Sequence, residues 1–501
     1  MTGSAETRGE PFPFASPLIS GLLIAAVAVA TRYLSYGNPV IDMDDQFYWL
    51  VGREWWHGQW PILDIWDRKP AGLFLIYGAI AGFDRSILAV QLAATVFAVA
   101  TAWTIRSTAR LYARDQGATL AGIAYLLSIA AIGGQSGQSP VFYNLFMALG
   151  GYWLLRAACS NDPARIWRAA LGTMLASGAA MVVKQVSMAE GIFFGLAYLL
   201  LLRRAGQDWR KILPFAGIMI AVALLPSLAG LALYATKGRE ALDAYVYAAY
   251  ASIFAKPVTR SASQYGQLAY LGFFLLPLLV LAALGIARRR REATMPERRA
   301  LLLGWLAAAF AGFLMIPNFF PHYALPLVVP LSLSAANAFD GRIGWLALTA
   351  MLASLIPQQV GNWQKGQVSR QMFERTFSGV EASRHGGCLY VANGPSALYA
   401  LSPACRVTKY LFPYHLGLAN EGAAIGTGQV AEIARILAQR PAVIVSQSNR
   451  LSEMQPQARR LLELSLADQY RLVLALPDTG GEALQTIELW QRKDLAPPPT
   501  N

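Results

Sequence analysis

The chain has 501 residues, of which 55% are hydrophobic and only 14% are charged, whereas roughly a quarter of a soluble domain's residues are charged. Its mean hydropathy of +0.38 excludes most soluble classes and predicts a protein that crosses the membrane many times. The formal net charge of +13 comes from short Lys and Arg clusters between apolar runs, so no nucleic-acid partner is needed to explain it. Three cysteines are too few for a disulfide scaffold.

Eleven apolar runs are predicted to be transmembrane helices, because a span needs about 20 mostly apolar residues. They cover residues 17–36, 86–105, 118–132, 141–155, 167–183, 188–202, 212–234, 268–286, 300–316, 323–338 and 345–356. A further run at 71–83 is short and is closed by Asp84 and Arg85. We therefore expect it to lie in the outer interface or to dip into it without crossing.

The basic residues set the predicted orientation. Arg and Lys cluster in the short connections at 106–114, 156–168, 203–211 and 288–299, and Arg342 lies in the last one. The positive-inside rule places all of these connections in the cytoplasm. The N-terminus is then inside, and residues 37–85, 235–267 and everything after about 358 are outside.

The tail after residue 357 has a mixed composition that predicts a separate α/β domain. Residues 388–392, 440–445 and 470–475 read as short strands, and residues 430–439 have helical spacing. The predicted domains are therefore a membrane domain at 1–357, with its first outer loop at 37–85, and an extracytoplasmic domain at 358–501. We expect Cys388 and Cys405 to lie close together, either as a disulfide or as two buried thiols.

The first outer loop holds the most informative chemistry. Six acidic residues, several aromatic residues and an Arg-Lys pair fall within the 31 positions from Asp42 to Gly72. One interpretation is an interfacial loop whose Trp and Tyr anchor at the headgroups and whose charges are merely solvated. The other is a catalytic loop, because adjacent carboxylates raise each other's pKa and one of them can then serve as a general base.

Several motifs resemble the GT-C glycosyltransferases, in particular the group of protein O-mannosyltransferases and lipid A aminoarabinose transferases. These motifs are DDQFY at 44–48, WHGQWP at 56–61, DRKPAG at 67–72, VKQ at 183–185, FPHYALP at 320–326 and GPSALY at 394–399. The resemblance covers most of the chain. It implies a polytopic α-helical GT-C-like fold of about eleven transmembrane helices with a small α/β extracytoplasmic domain.

The resemblance also implies an activity and a location. Members transfer a sugar from a polyprenyl-phosphate donor, and the expected acceptor is a glycan, lipid A or another envelope glycoconjugate. The expected partners are thus the donor, the acceptor and membrane lipids. The implied location is the bacterial inner membrane, with the active site and the tail in the periplasm. Attack of an acceptor hydroxyl on the anomeric carbon would invert that centre.

The resemblance assigns roles to residues at matching positions. Asp44 matches the base, and Asp45 is the second candidate. The set expected to bind the donor phosphate or substrate is Lys69, Arg68, Asp67, Tyr48, Lys184, Gln138, His322 and Tyr323. Two alternatives stay open, since Lys69 could be a loop charge paired with Asp67 and Lys184 could snorkel to the interface.

The chain departs from the family in its second outer loop. Members commonly have an acidic residue there, whereas residues 134–140 offer only amides and hydroxyls. A divalent cation is therefore in doubt, because hard cations prefer carboxylate oxygens, and its ligands are unknown. Two other functions remain possible: a transporter or flippase of lipid-linked sugars, and a non-catalytic polysaccharide-assembly protein.

Overall fold

The computed structural model describes residues 16–255, 262–291, 296–316, 318–448, 450–478 and 485–498. The helices before residue 256 are α1 (Pro17–Ala30), α2 (Met43–Trp55), α3 (Ala71–Phe83), α4 (Ile87–Ala109), α5 (Asp115–Ala131), α6 (Ser139–Ala157), α7 (Pro163–Met181), α8 (Met188–Arg204), α9 (Trp209–Ala235), α10 (Arg239–Val246) and α11 (Ser252–Ala255). Those after it are α12 (Ala262–Arg291), α13 (Pro296–Leu314), α14 (Val328–Ala335), α15 (Arg342–Ser383), α16 (Ala397–Leu401), α17 (Pro413–Gly417), α18 (Gln429–Ala438) and α19 (Pro456–Gln469). The strands are β1 (Leu389–Val391), β2 (Val443–Gln447), β3 (Tyr470–Asp478) and β4 (Gln485–Arg492).

Six helical segments of the described chain are long and apolar enough to cross a membrane. They are Pro17–Ser35, Ile87–Ala109, Gln185–Arg204, Trp209–Ala235, Ser263–Arg288 and Arg342–Ser383, and each overlaps a predicted span. The other five predicted spans are helical as well, but their crossing stays a prediction. The 13 residues of α3 extend about 20 Å, less than the roughly 30 Å of a hydrocarbon core.

The chain divides into two compact units. Unit 1 takes its described residues from Met1–Leu34, Leu92–Leu228 and Arg260–Val360. In this unit α6 packs on α7, α7 on α8 and α8 on α13. Glycines allow the closest approaches: a Cβ added at Gly178 would lie 2.2 Å from the carbonyl oxygen of Ala223. Small residues at helix contacts are typical of membrane bundles.

Unit 2 takes its described residues from Ser35–Gln91, Ala229–Thr259 and Gly361–Asn501, so it joins the segment of the acidic cluster with the tail. Its sheet has the strand order β1-β2-β4-β3. Strands β1 and β2 are parallel, and β4 pairs with β2 and β3 in antiparallel fashion. Strands β1 to β3 and helix α18 overlap the elements expected in the tail, whereas β4 was not expected.

The cysteines of the tail are paired. Cys388 and Cys405 form a disulfide with their Cα atoms 4.3 Å apart, which confirms that the two residues lie close together. The bond fixes the segment after α16 to the start of β1, where the backbone N–H of Leu389 also donates to the carbonyl of Cys405 at 3.0 Å. The disulfide and this backbone hydrogen bond therefore hold the segment after α16 against β1 in unit 2.

Candidate active site

The acidic pair lies in the first turn of α2. Asp42 caps this helix, because its side chain accepts a hydrogen bond of 3.0 Å from the backbone N–H of Asp45. Asp44 and Asp45 follow in the first turn, where the positive end of the helix dipole favours carboxylates. The helix therefore begins where the sequence places three acids in four positions.

The two carboxylates of the pair have different environments. Asp45 is buried, and its Oδ1 accepts a hydrogen bond of 2.6 Å from the hydroxyl of Tyr77 in α3. Asp44 is half-buried, and no hydrogen-bond donor among the described residues binds its carboxylate. Asp44 is thus the one of the pair whose oxygens are available to a ligand.

Lys69 lies close to the same face of α2. Its Nζ is 5.8 Å from the ring centroid of Tyr48, within the range of a cation–π contact. Tyr48 is four residues after Asp44, so both side chains lie on one face of the helix. No carboxylate in the described part of unit 2 is within 4 Å of the Lys69 ammonium. The structure therefore brings a carboxylate and a cation to one face.

Asp67 is a buried, ionised side chain. Burial raises the pKa of Asp67, but the positive charge of Lys69, together with the nearby His415 imidazole and the backbone N–H of Arg68, outweighs burial and lowers that pKa to about 2. The Nε2 of His415 is 3.7 Å from Oδ1 of Asp67. Burial lowers the pKa of His415, so the imidazole is neutral at pH 7.

The turn that carries Lys69 is held by residues of the tail. Arg68 forms a salt bridge with the buried Glu421, and the backbone N–H of Trp66 donates to the carbonyl of Lys409 at 2.9 Å. The Trp66 ring also packs edge-on against the His415 ring, with centroids 4.6 Å apart. Arg68 is thus committed to Glu421, which leaves Lys69 as the cation of the turn without an ion-pair partner among the described residues.

Helices α2 and α3 are closely packed, and this packing sets the position of Tyr77. A Cβ added at Gly52 would lie 2.7 Å from both the carbonyl carbon and oxygen of Tyr77, so only glycine fits. The indole N–H of Trp56 donates to the carbonyl of Gly78 at 2.7 Å. The contact therefore fixes the Tyr77 hydroxyl that holds Asp45.

A second group of expected site residues lies in unit 1. Lys184 follows α7 and is largely buried, with its Nζ 4.2 Å from the ring centroid of Tyr323. The ring of His322 packs edge-on against that of Tyr323 at 4.5 Å. A Cβ added at Gly133 would lie 3.6 Å from Cβ of His322, which brings the second outer loop beside this group. The three side chains meet although Lys184 and His322 are far apart in sequence.

Gln138, also expected in the site, is buried immediately before α6. The loop that leads to it is held by the segment after α1, since Nη2 of Arg32 donates to the carbonyl of Gly134 at 2.9 Å. Within the described ranges, no group of three or more His, Cys, Asp or Glu side chains is arranged to hold a metal ion.

Sequence reasoning missed the partners that hold the DRKP turn and the acidic pair. His415, Glu421 and Tyr77 contact Asp67, Arg68 and Asp45 across large sequence separations, and no local motif announces them. The sequence offered one signal for His415: histidine is rare in this chain, which contains only four, so each of them was a candidate site residue.

Comparisons with known proteins agree with the expected family. Residues 67–230, about a third of the chain, match the family described as dolichyl-phosphate-mannose-protein mannosyltransferase. Undecaprenyl phosphate-α-4-amino-4-deoxy-L-arabinose arabinosyl transferases of Pseudomonas paraeruginosa and Pseudomonas aeruginosa are each 27% identical over 307 residues, which are 59% of this chain and 53% of theirs. The chain thus spans about half the length of these curated relatives.

Solved structures share the fold. The crystal structure of ArnT from Cupriavidus metallidurans, bound to undecaprenyl phosphate, has a TM-score of 0.61 and 15% identity, covering 95% of this chain and 98% of that one. The apo oligosaccharyltransferase of Archaeoglobus fulgidus has a TM-score of 0.50 at 10% identity, covering 91% of this chain and 73% of that one.

The chain therefore shares its fold with these membrane-bound transferases, and the family match and the relatives agree with the GT-C resemblance inferred from the motifs. More particularly, the chain is similar in sequence to the undecaprenyl phosphate-aminoarabinose arabinosyl transferases. A mostly helical membrane protein, as predicted from composition, is likewise confirmed.

Proposed function

We propose that the protein is a membrane glycosyltransferase that takes a sugar from a polyprenyl-phosphate donor and transfers it to an extracytoplasmic glycan or lipid acceptor. The names of the relatives support a lipid-phosphate donor, and the chain keeps the acidic pair and the DRKP turn in order. Residues outside these motifs determine which sugar and which acceptor molecule the protein uses.

The observation that carries this proposal is that Lys69 contacts Tyr48 on the face of α2 that also carries Asp44. Asp44 is half-buried and without a hydrogen-bond donor in the described chain, and Lys69 stacks on Tyr48 one turn further along that face. A base and a cation at neighbouring positions suit a displacement in which a proton leaves one oxygen and negative charge appears on another.

In the proposed reaction the acceptor hydroxyl attacks the anomeric carbon of the donor sugar. A new carbon–oxygen bond forms as the bond from that carbon to the phosphate oxygen breaks, so the configuration inverts. Asp44 takes the hydroxyl proton, and the departing polyprenyl phosphate keeps the electron pair. Lys69 stabilises the phosphate as its charge develops. The Asp67 carboxylate and its partner His415 hold the turn from which Lys69 projects.

Lys184, Tyr323, His322 and Gln138 are proposed as further contacts to donor or substrate. Lys184 is largely buried, and its ammonium lies over the Tyr323 ring, which packs against the ring of His322. This position inside the protein supports a site contact over simple snorkelling to the interface.

The test compares three single variants of the purified protein in nanodiscs with polyprenyl-phosphate sugars and extracted acceptor. Asp44→Asn keeps the size and removes the basicity, so we expect kcat to fall by about 10²–10⁴ with unchanged donor affinity. Asp45→Asn is the matched control, because its amide oxygen can still accept the Tyr77 bond. Full activity in Asp44→Asn with loss in Asp45→Asn would move the base to Asp45.

The third variant, Lys69→Ala, should weaken donor binding about tenfold, since charge-assisted bonds to phosphate are strong. Lys409→Ala is its control, because Lys409 also lies over a tyrosine ring, with its Nζ 5.6 Å from the Tyr410 centroid. Transfer of labelled sugar to acceptor would exclude the flippase and assembly alternatives, neither of which forms a glycosidic bond. Absence of transfer with every donor and acceptor tried would contradict the proposed glycosyltransferase activity.

We also propose eleven transmembrane helices with α3 at the outer interface, the N-terminus in the cytoplasm and the tail, as a 358–501 domain, in the periplasm. The one-sided Arg clusters support this topology. Reporter fusions after residues 115, 163, 208 and 295 should all read cytoplasmic. A periplasmic signal at any two of them would contradict the scheme.

A further inference from the structure

A cavity of about 780 Å³ lies in unit 1 at the connection between α6 and α7. Its walls come from the end of α6, the first turns of α7 and the residues that join them, and its lining includes Trp153, Arg156, Cys159, Arg165, Arg168 and Gly172. The volume lies within the range of sites that bind small ligands.

Two arginines of the cavity bind only uncharged groups. Nη1 of Arg156 donates to the hydroxyl of Tyr152 at 2.9 Å, and Nε of Arg168 donates to the carbonyl of Ala164 at 3.3 Å. No carboxylate in the described ranges forms an ion pair with either arginine. Because a guanidinium group has five N–H donors, both arginines keep donors that an anion can accept from.

The carboxylates close to the cavity are already paired. Oδ2 of Asp162 is 3.4 Å from Nε of Arg165. Glu297 forms a salt bridge with Arg204, whose Nη1 also donates to the carbonyl of Ala158 at 3.5 Å. The charges within each pair cancel, so the two arginines with uncharged partners give the cavity its positive charge.

A third cation lies next to the cavity. Arg298 is buried, its Nη2 contacts Sγ of Cys159, and its Nη1 donates to the carbonyl of Leu111 at 2.5 Å. Its Nε is buried and has no hydrogen-bond partner among the described residues. A buried charge without an opposite charge is costly. An anion in the cavity beside Cys159 would lower that cost.

The surface changes from polar to apolar along α7. Arg168 and Gly172 are one turn apart on one face of the helix, and a Cβ added at Gly172 would lie 3.4 Å from the ring of Trp153. Leu175, the next residue of that face, is exposed, so apolar surface continues from the cavity along the helix. A membrane lipid carries a phosphate beside acyl chains and matches this order, whereas a soluble anion matches only the arginines.

The cavity is distant from Lys184, which is proposed above to contact the donor or substrate. The cavity lies at the beginning of α7, and Lys184 follows the end of that helix. The 19 residues of α7 extend about 28 Å, close to the roughly 30 Å of a hydrocarbon core. The cavity and Lys184 are therefore at opposite ends of one helix, and a ligand of the cavity is not the donor phosphate held near Lys184.

We propose that this cavity binds the headgroup phosphate of an anionic glycerophospholipid such as phosphatidylglycerol. Arg156 and Arg168 bind the phosphate oxygens through their free N–H donors, and an acyl chain lies along Trp153 and Leu175. In the topology proposed above, the lipid belongs to the cytoplasmic leaflet, where basic groups attract anionic headgroups. Binding requires no sugar transfer, so this inference is independent of the proposed transferase function.

The cysteine of the cavity provides the test. The chain has three cysteines and two of them form the disulfide, so Cys159 is the thiol that a maleimide labels in the unreduced protein. The full-length protein is placed in nanodiscs of phosphatidylcholine with or without phosphatidylglycerol, and alkylation by the neutral N-ethylmaleimide is followed by intact-protein mass spectrometry. Phosphatidylglycerol should slow alkylation about threefold when about two thirds of the sites are occupied. An unchanged rate would overturn the proposal.

Variants separate a specific site from a general effect of membrane charge. An anionic membrane lowers the pH at its surface, which slows thiolate reactions there whether or not a lipid binds. The double variant Arg156→Gln/Arg168→Gln should lose the protection, whereas Arg203→Gln, outside the cavity, should keep it. All three arginines are exposed, so their replacement is not expected to disturb folding. Slowing that persists in the double variant, or that disappears in Arg203→Gln, would overturn the site.

Two further arms identify the source of the phosphate. Glycerol 3-phosphate, added in solution to phosphatidylcholine discs, should leave the alkylation rate unchanged. Protection by glycerol 3-phosphate at least as strong as that by phosphatidylglycerol would assign the cavity to a soluble anion. Protection by undecaprenyl phosphate with none by phosphatidylglycerol would assign it to the donor lipid. Either result would overturn the proposed occupant.

Discussion

Gly52→Ala should loosen the contact between α2 and α3 and with it the site. The added Cβ would lie 2.7 Å from the carbonyl carbon and oxygen of Tyr77, where ordinary contacts begin near 3.4 Å. Because these are backbone atoms, no rotamer change relieves the overlap, and the two helices must separate by about 0.7 Å. The same Tyr77 holds Asp45 through its hydroxyl, so the site should be displaced with it.

The magnitude follows from two opposing effects. Overpacking of this kind costs about 2–3 kcal/mol, whereas alanine in a helix is about 1 kcal/mol better than glycine. The net loss in the free energy of unfolding is about 1–2 kcal/mol. For a unit of this size it should lower the apparent Tm by about 2–8 °C.

Gly361→Ala is the matched control. Gly361 is also inside a helix, α15, but nothing lies within 4 Å of its added Cβ. This variant should be as stable as the parent or slightly more stable. Thermal unfolding in the same detergent compares the three proteins, and a transfer assay follows the site. A Gly52→Ala protein that is stabilised like Gly361→Ala would refute the reasoning about α2 and α3.

Three further predictions concern buried groups and thiols. Because burial lowers the pKa of His415, the unfolded chain takes up a proton below about pH 6.5 that the folded chain does not, and stability should fall as the pH drops. His415→Gln should reduce the change in Tm between pH 7 and pH 5. The control, His385→Gln at an exposed position, should leave that change as it is in the parent. An unchanged pH dependence of Tm in His415→Gln would contradict a lowered pKa for His415. Trp305→Phe should lower the free energy of unfolding by about 1–3 kcal/mol, because the buried Glu190 side chain loses the indole N–H that donates to it at 2.6 Å. Glu190→Gln is the control, because its amide oxygen can still accept this bond. Equal Tm values for the two variants would be evidence against the bond. Maleimide should label one of the three thiols, Cys159, in unreduced denatured protein and all three after reduction; two or more before reduction would exclude the disulfide.

The sequence predicted local structure well because local signals were strong. Long apolar runs became helices, the acidic cluster became the N-terminal turn of α2, and the closeness of Cys388 and Cys405 followed from their spacing around a strand and a short helix. Hydrophobic periodicity and helix capping act over a few residues, so they can be read directly from the sequence.

The contacts that distinguish the site residues could not be read in the same way. Asp44 and Asp45 are adjacent and chemically identical, and a hydrogen bond from Tyr77 in α3 distinguishes the buried Asp45 from Asp44. Arg68 and Lys69 are likewise adjacent, and only Glu421 separates their roles. Tertiary contacts across tens to hundreds of residues decide these differences, and no local pattern encodes them.

The charges of the DRKP turn support our proposal that Lys69, and not its neighbour Arg68, binds the donor phosphate. The positive charge of the nearby Lys69 stabilises the buried Asp67 carboxylate. The salt bridge between Arg68 and Glu421 cancels the remaining pair of charges. Lys69 thus acts on Asp67 through its field without a direct ion pair, and its ammonium donors stay available. An arriving phosphate would meet a lysine that is already held in place by Tyr48 and needs little reorganisation.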